Sequence, residues 1–84
     1  MSTTALMREG RLEMERRNYS QAIDIYRLAV GTDRRNAQAY LALAEAYILD
    51  GQPGDAEHYL RAGMERTNNA KIRDALNKLL TPSG

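Results

Sequence analysis

Few side chains in this sequence are of the types that could support catalysis or metal binding. His58 is the single histidine, with Asp55 and Glu57 close to it in the chain. One imidazole and no cysteine cannot form a multi-histidine or thiolate metal site, and no thiol nucleophile is present. We expect His58 to be solvated, and Asp55 and Glu57 to complement the dipole at the start of a helix.

The other charged residues have spacings typical of a protein surface. The sequence lacks a glycine-rich phosphate loop and a nucleophile paired with a base. Two arginine doublets, Arg16-Arg17 and Arg34-Arg35, fall at predicted helix ends, where cations favour the C-terminal carbonyls. An acidic partner is the alternative role for these arginines. We therefore expect a protein that is not an enzyme and that holds no cofactor or metal.

Charge and hydropathy disfavour two further classes of protein. Twelve Lys and Arg residues against eleven Asp and Glu residues give a net charge of +1 across 84 residues, and the charges are interspersed. A nucleic-acid partner is therefore not expected. No apolar stretch approaches the roughly 18–20 residues of a membrane span, and no signal-peptide pattern is present, so we expect a soluble chain. The lack of cysteine fits the cytoplasm, which we favour, and the periplasm alike.

Composition and turn signals predict an all-α chain. Ala and Leu dominate, whereas Val and Ile together number five, and this balance favours helices over strands. Ser2 to Thr4 offer N-cap hydroxyls, Asn18 is a candidate cap for the second helix, and Gly51 and Pro53 mark the next boundaries. Five helices are predicted, over about 4–16, 19–32, 37–50, 53–67 and 70–80, before a frayed tail at 81–84. Loops this short force neighbouring helices to be antiparallel.

The chain also repeats itself at a period of 34 residues. Shifting the sequence by this period matches small residues with small residues and large residues with large ones. The matched pairs are Leu6 with Tyr40, Gly10 with Ala44, Ala22 with Ala56, Tyr26 with Leu60, and Ala29 with Gly63. The predicted helix boundaries coincide under the same shift, which indicates two copies of one helical hairpin.

This pattern resembles that of the tetratricopeptide repeat family, in which each repeat is a 34-residue helix pair. Residues 37–68 carry the pattern well, through Tyr40, Leu43-Ala44, Tyr47, Ala56, Leu60 and Gly63. Residues 3–36 match less fully, because Glu9 and Glu13 stand where the family has Leu and Tyr, and the usual closing proline is missing from both copies. The resemblance implies one domain over 1–84, with repeats at about 3–36 and 37–68 and a capping helix at about 70–80.

The resemblance further implies a right-handed superhelical stack of antiparallel helix pairs, whose first helices line a concave groove. The groove would have an apolar floor edged by charged groups, and would suit a peptide or an amphipathic helix. The predicted partner-binding residues are Met7, Arg8, Arg11, Met14, Gln38, Leu41, Glu45 and Ile48.

Two functions remain open on the sequence alone. The favoured hypothesis is a non-catalytic protein-binding module that acts as an adaptor or scaffold. The alternative is an architectural unit that forms a homo-oligomer through its apolar inner face. A third possibility concerns the groove itself: Leu41, Ile48 and Leu49 could simply pack against the last helix, leaving little surface for a partner.

Overall fold

The structure, a computed structural model, describes residues 2–81, which form five α-helices and no strand. The helices are α1 (Thr3–Glu15), α2 (Tyr19–Thr32), α3 (Ala37–Leu49), α4 (Pro53–Thr67) and α5 (Ala70–Leu80). Their bounds agree with the predicted ones to within a residue, which confirms the all-α class. The predicted frayed tail lies mostly outside the described residues.

Short polar side chains set most of the helix starts. Ser2 Oγ accepts a hydrogen bond from the Ala5 amide at 3.1 Å, and Asn36 and Asn69 cap α3 and α5 in the same way. The prediction that Asn18 caps α2 is wrong. Its backbone has ψ of 71° rather than an extended value, and its side-chain amide instead donates to a Glu13 carboxylate oxygen at 3.3 Å.

Each helix packs against the next one along the chain, and α3 also contacts α5. Because the connections are short, these neighbours form antiparallel pairs stacked side by side, in a molecule of 38 × 26 × 15 Å. This stack is the predicted architecture. The division into repeats at 3–36 and 37–68 with a capping helix stays a prediction.

Small residues allow the close approach between helices. Gly10 of α1 lies directly against the Tyr26 ring of α2, and Gly63 of α4 lies against the ring of Tyr40 in α3. Residue sizes at the Gly10–Tyr26 contact differ from those at the equivalent positions 34 residues later, and the two differences offset each other. Where the first copy has the smaller Gly10 instead of Ala44, it also has the larger Tyr26 instead of Leu60. The summed volume of the two residues is therefore similar in the two hairpins, as a close-packed interior requires.

The core is a single apolar cluster that runs through all five helices. Leu43, Leu60 and Ile72 are its largest fully buried side chains, and no polar or charged residue among residues 2–81 is buried with them. Its other members include the buried alanines Ala22, Ala29, Ala39, Ala44, Ala46 and Ala56. Burial of this cluster supplies most of the hydrophobic free energy of folding.

Candidate functional site

One face of the stack carries two adjacent clefts, and both use side chains from α3. The first, which we call the α1–α3 cleft, has a volume of about 270 Å³. Its lining residues are Met7, Arg11, Met14, Tyr26, Gln38, Leu41, Ala42 and Glu45. The structure therefore brings together six of the eight residues predicted from the sequence, all except Arg8 and Ile48.

Of the two lining residues outside the predicted set, Ala42 lies on α3 beside Leu41, whereas Tyr26 comes from a different helix. It belongs to α2, the second helix of a hairpin, whereas the predicted residues all lie on α1 and α3. Because Gly10 lacks a side chain, the Tyr26 ring fits beneath α1 and its phenol group reaches the cleft, where the charges of Glu45 and Arg11 act on it. The signal in the sequence is that Gly10, the smallest residue in α1, is paired with Tyr26, which is larger than Leu60 at the equivalent position of the second hairpin.

The second cleft, the α3–α5 cleft, is larger and more apolar, with a volume of about 520 Å³. It is lined by Leu41, Ala44, Glu45, Ile48, Leu49, Leu60, Ala75, Lys78 and Leu79. Leu41 and Glu45 line both clefts, so the two form one continuous concave surface with those side chains at the junction. Arg8 is exposed and lines neither cleft.

The exposure of two α3 side chains decides how far α5 covers this surface. Ile48 is 46% exposed and Leu49 is 52% exposed, although both line the α3–α5 cleft beside α5. Packing against the last helix therefore leaves about half of each of these two side chains open to solvent. Both side chains thus add apolar surface in contact with solvent beside the cleft.

The other side chains considered from the sequence do not form a second site. His58 is exposed and meets the Tyr59 ring edge-on, with ring centroids 5.1 Å apart. Within residues 2–81, no three His, Asp or Glu side chains come close enough together to hold a metal ion. Tyr59 stacks on the buried Tyr47, and Arg16 forms an ion pair with Glu13 at 3.0 Å.

Among the described residues, no helix has the length and apolar character needed to cross a membrane.

The phenol groups of the core should make the domain sensitive to alkali. Burial raises the pKa of Tyr26 above its usual value, the Glu45 carboxylate raises it further, and the Arg11 guanidinium opposes the shift. Burial likewise raises the pKa of Tyr40 and of Tyr47. A folded-state pKa above that of the unfolded chain means that the fold favours the neutral phenol. This stabilisation is complete below about pH 10 and is lost as the pH rises through the folded-state values.

We therefore expect the free energy of unfolding to fall as the pH is raised beyond about 10. Urea unfolding at several pH values between about 8 and 11 measures this decline, and tyrosinate absorbance shows ionisation directly. The Tyr26→Phe variant should lose less stability over the same interval, because one of the shifted groups is gone. Equal declines in the variant and the wild type would contradict the assignment to Tyr26.

Comparison with known protein families agrees with the fold and with the residue pattern. A family model described as tetratricopeptide repeat matches residues 13–79, which is well over half of the chain. The chain therefore belongs to the tetratricopeptide repeat family. No curated protein sequence matches it. Tetratricopeptide repeats are typically non-enzymatic modules that mediate interactions between proteins.

Proposed function

We propose that this chain is a non-catalytic adaptor or scaffold module that holds a peptide or an amphipathic helix on its concave surface. The observation that carries the proposal is the continuous surface made by the α1–α3 and α3–α5 clefts, with Leu41 at their junction. Exposed Ile48 and Leu49 extend its apolar part. Apolar concavities with a few polar groups are the usual form of a binding site.

The lining of the two clefts suggests the chemistry of the partner. The α3–α5 cleft is apolar apart from Glu45 and Lys78, so it suits a leucine- or methionine-like side chain. The α1–α3 cleft offers Gln38 and Arg11 as hydrogen-bond donors, and two methionines whose flexible side chains adapt to a bound surface. The net charge of +1 supports a protein partner over a nucleic acid.

Selection from a random peptide library displayed on phage, followed by isothermal titration calorimetry, tests this proposal. Leu41→Asp should weaken binding of a selected peptide by about thirtyfold, equivalent to about 2 kcal/mol, because it places a charge where both clefts meet. Arg11→Glu should weaken the binding of peptides that carry an acidic residue. Leu28→Asp, on another face of the stack, is the matched control and should bind as the wild type does.

Two results would reject the concave surface as the binding site. One is unchanged affinity in both Leu41→Asp and Arg11→Glu, and the other is an equal loss in Leu28→Asp. Circular dichroism of each variant separates lost binding from lost folding.

The exposed Ile48 and Leu49 side chains also favour a second candidate function, self-association through the same concave surface. In that case Leu41→Asp should convert an oligomer into a monomer. Sedimentation velocity of the wild type and of Leu41→Asp over a wide concentration range distinguishes the two functions. A peptide-binding module does not associate with itself through this face, so the substitution should not change its mass.

A further inference from the structure

Tyr26 brings an unpartnered polar atom to the α1–α3 cleft. The residue is only 4% exposed, yet it lines the cleft. Within residues 2–81 its hydroxyl makes no hydrogen bond, whereas the hydroxyl of the equally buried Tyr40 donates to the Arg34 carbonyl oxygen at 2.8 Å. No fully buried side-chain oxygen or nitrogen in that range lacks a partner, so the Tyr26 hydroxyl itself must reach the cleft. Because a buried tyrosine normally has a hydrogen-bond partner, this hydroxyl is available to a bound group.

Two side chains of opposite charge lie near this hydroxyl. Arg11 of α1 and Glu45 of α3 are both exposed and both line the cleft. Their charges act on the phenol in opposite directions, since Glu45 raises the pKa of Tyr26 and Arg11 lowers it. Among residues 2–81 neither side chain belongs to an ion pair, so their charged ends do not neutralise each other by contact. The cleft therefore presents a cation, an anion and a hydroxyl, all free to bind a ligand.

The other lining side chains limit what can enter the cleft. Gln38 is polar, and the rest are apolar: Met7, Met14, Leu41 and Ala42. The volume of about 270 Å³ is below the usual range for a small-molecule pocket and suits one side chain of a bound peptide. A carboxylate in the cleft would meet Glu45 and an ammonium group would meet Arg11, so the cleft favours a neutral polar group.

We propose that the α1–α3 cleft binds the carboxamide side chain of a glutamine or asparagine of the bound peptide, and that Tyr26 determines this specificity. A carboxamide is neutral and carries an acceptor oxygen and a donor nitrogen on one carbon. Its oxygen accepts hydrogen bonds from the Tyr26 hydroxyl and the Arg11 guanidinium, and its nitrogen donates to the Glu45 carboxylate. This inference rests on the proposed function and adds one polar side chain beside the apolar one in the α3–α5 cleft.

Peptide selection on two proteins tests the proposal. Peptides selected from a phage library on the wild type should share a glutamine or asparagine at a fixed distance from an apolar residue, and those selected on Tyr26→Phe should not. In isothermal titration calorimetry, Tyr26→Phe should bind a wild-type-selected peptide roughly fivefold more weakly, the effect of one neutral hydrogen bond. The same peptide with its carboxamide residue changed to leucine should bind both proteins equally, because the hydrogen bond is then absent from both.

A carboxylate in the same peptide tests the role of the charges. The wild type should bind the peptide with glutamate in place of glutamine roughly tenfold more weakly, because Glu45 repels the second carboxylate. Glu45→Gln should remove or reverse this preference, since Arg11 then faces the carboxylate without an opposing charge. A wild type that prefers the glutamate peptide would overturn the carboxamide assignment.

Tyr40→Phe is the matched control, because it removes a phenol hydroxyl that is bonded within the protein and lines neither cleft. It should leave affinity unchanged, and circular dichroism shows whether each variant remains folded. If Leu41→Asp abolishes binding while Tyr26→Phe binds as the wild type does, the carboxamide assignment is wrong and the proposed function stands. A Tyr26→Phe loss that persists with the leucine peptide would place another group, such as a backbone amide, at the hydroxyl and would also overturn it. A library that yields no binding peptide would reject both.

Discussion

Replacing Gly10 with alanine should lower the free energy of unfolding by roughly 2 kcal/mol, although alanine is the better helix former. An added Cβ would lie 2.6 Å from Cδ1 and 2.7 Å from Cζ of the Tyr26 ring, and against Cε1 as well. The ring is buried and cannot swing into solvent, so α1 and α2 must separate. Overpacking of this kind costs about 1–3 kcal/mol and sometimes more, which exceeds the gain in helix propensity of about 1 kcal/mol.

The chain offers a matched control for this substitution at Gly31. Gly31 also lies within a helix, but an added Cβ there would meet no atom within 4 Å. Gly31→Ala should therefore leave stability unchanged or raise it by up to about 1 kcal/mol. Denaturant unfolding of both variants gives the comparison. If Gly10→Ala were as stable as Gly31→Ala, the close contact between α1 and the Tyr26 ring would be wrong.

The Gly10 contact also links stability to the candidate site. Tyr26 lines the α1–α3 cleft, so a separation of α1 from α2 would move its phenol group as well. Gly10→Ala should thus reduce the affinity of any peptide held in that cleft more than it affects one held in the α3–α5 cleft. A double variant with Tyr26→Leu, which restores the residue pair of the second hairpin, should recover most of the stability.

Leu43→Ala should destabilise the domain by about 2–5 kcal/mol. Leu43 is 0% exposed and is one of the three largest fully buried side chains, on the helix that contacts α2, α4 and α5. Truncation to alanine removes apolar contacts and leaves a cavity, because the surrounding helices cannot move close enough to fill it. A chain this short buries a modest fraction of its surface, so we expect the unfolding midpoint to fall markedly.

Leu28→Ala is the matched control for Leu43→Ala, because Leu28 is the same residue type in a neighbouring helix but is largely exposed. Its effect on the unfolding free energy should lie within about 0.5 kcal/mol of zero at low protein concentration. Thermal and urea unfolding of both variants measures the difference. Similar losses in the two variants would mean that Leu43 does not hold the hairpins together.

The helices and the class of fold were predictable because their signals are local. Ser2 can cap only the turn that follows it, and Gly51, with φ of +76°, ends a helix without strain. The 34-residue spacing then indicates two hairpins, because small and large residues recur at equivalent positions in the two copies. Six of the eight predicted site residues share a cleft because the family resemblance carries the inward-facing positions over to one face of α1 and one face of α3.

The tertiary structure alone decided what covers each face and how far. Periodicity shows that Ile48 and Leu49 are apolar neighbours on α3, but how much of each side chain stays exposed depends on where α5 lies against α3. Likewise, Tyr26 reaches the α1–α3 cleft only because Gly10 lets its ring pass beneath α1. These are contacts between residues distant in the chain, and their geometry follows from how whole helices meet, which no local pattern encodes.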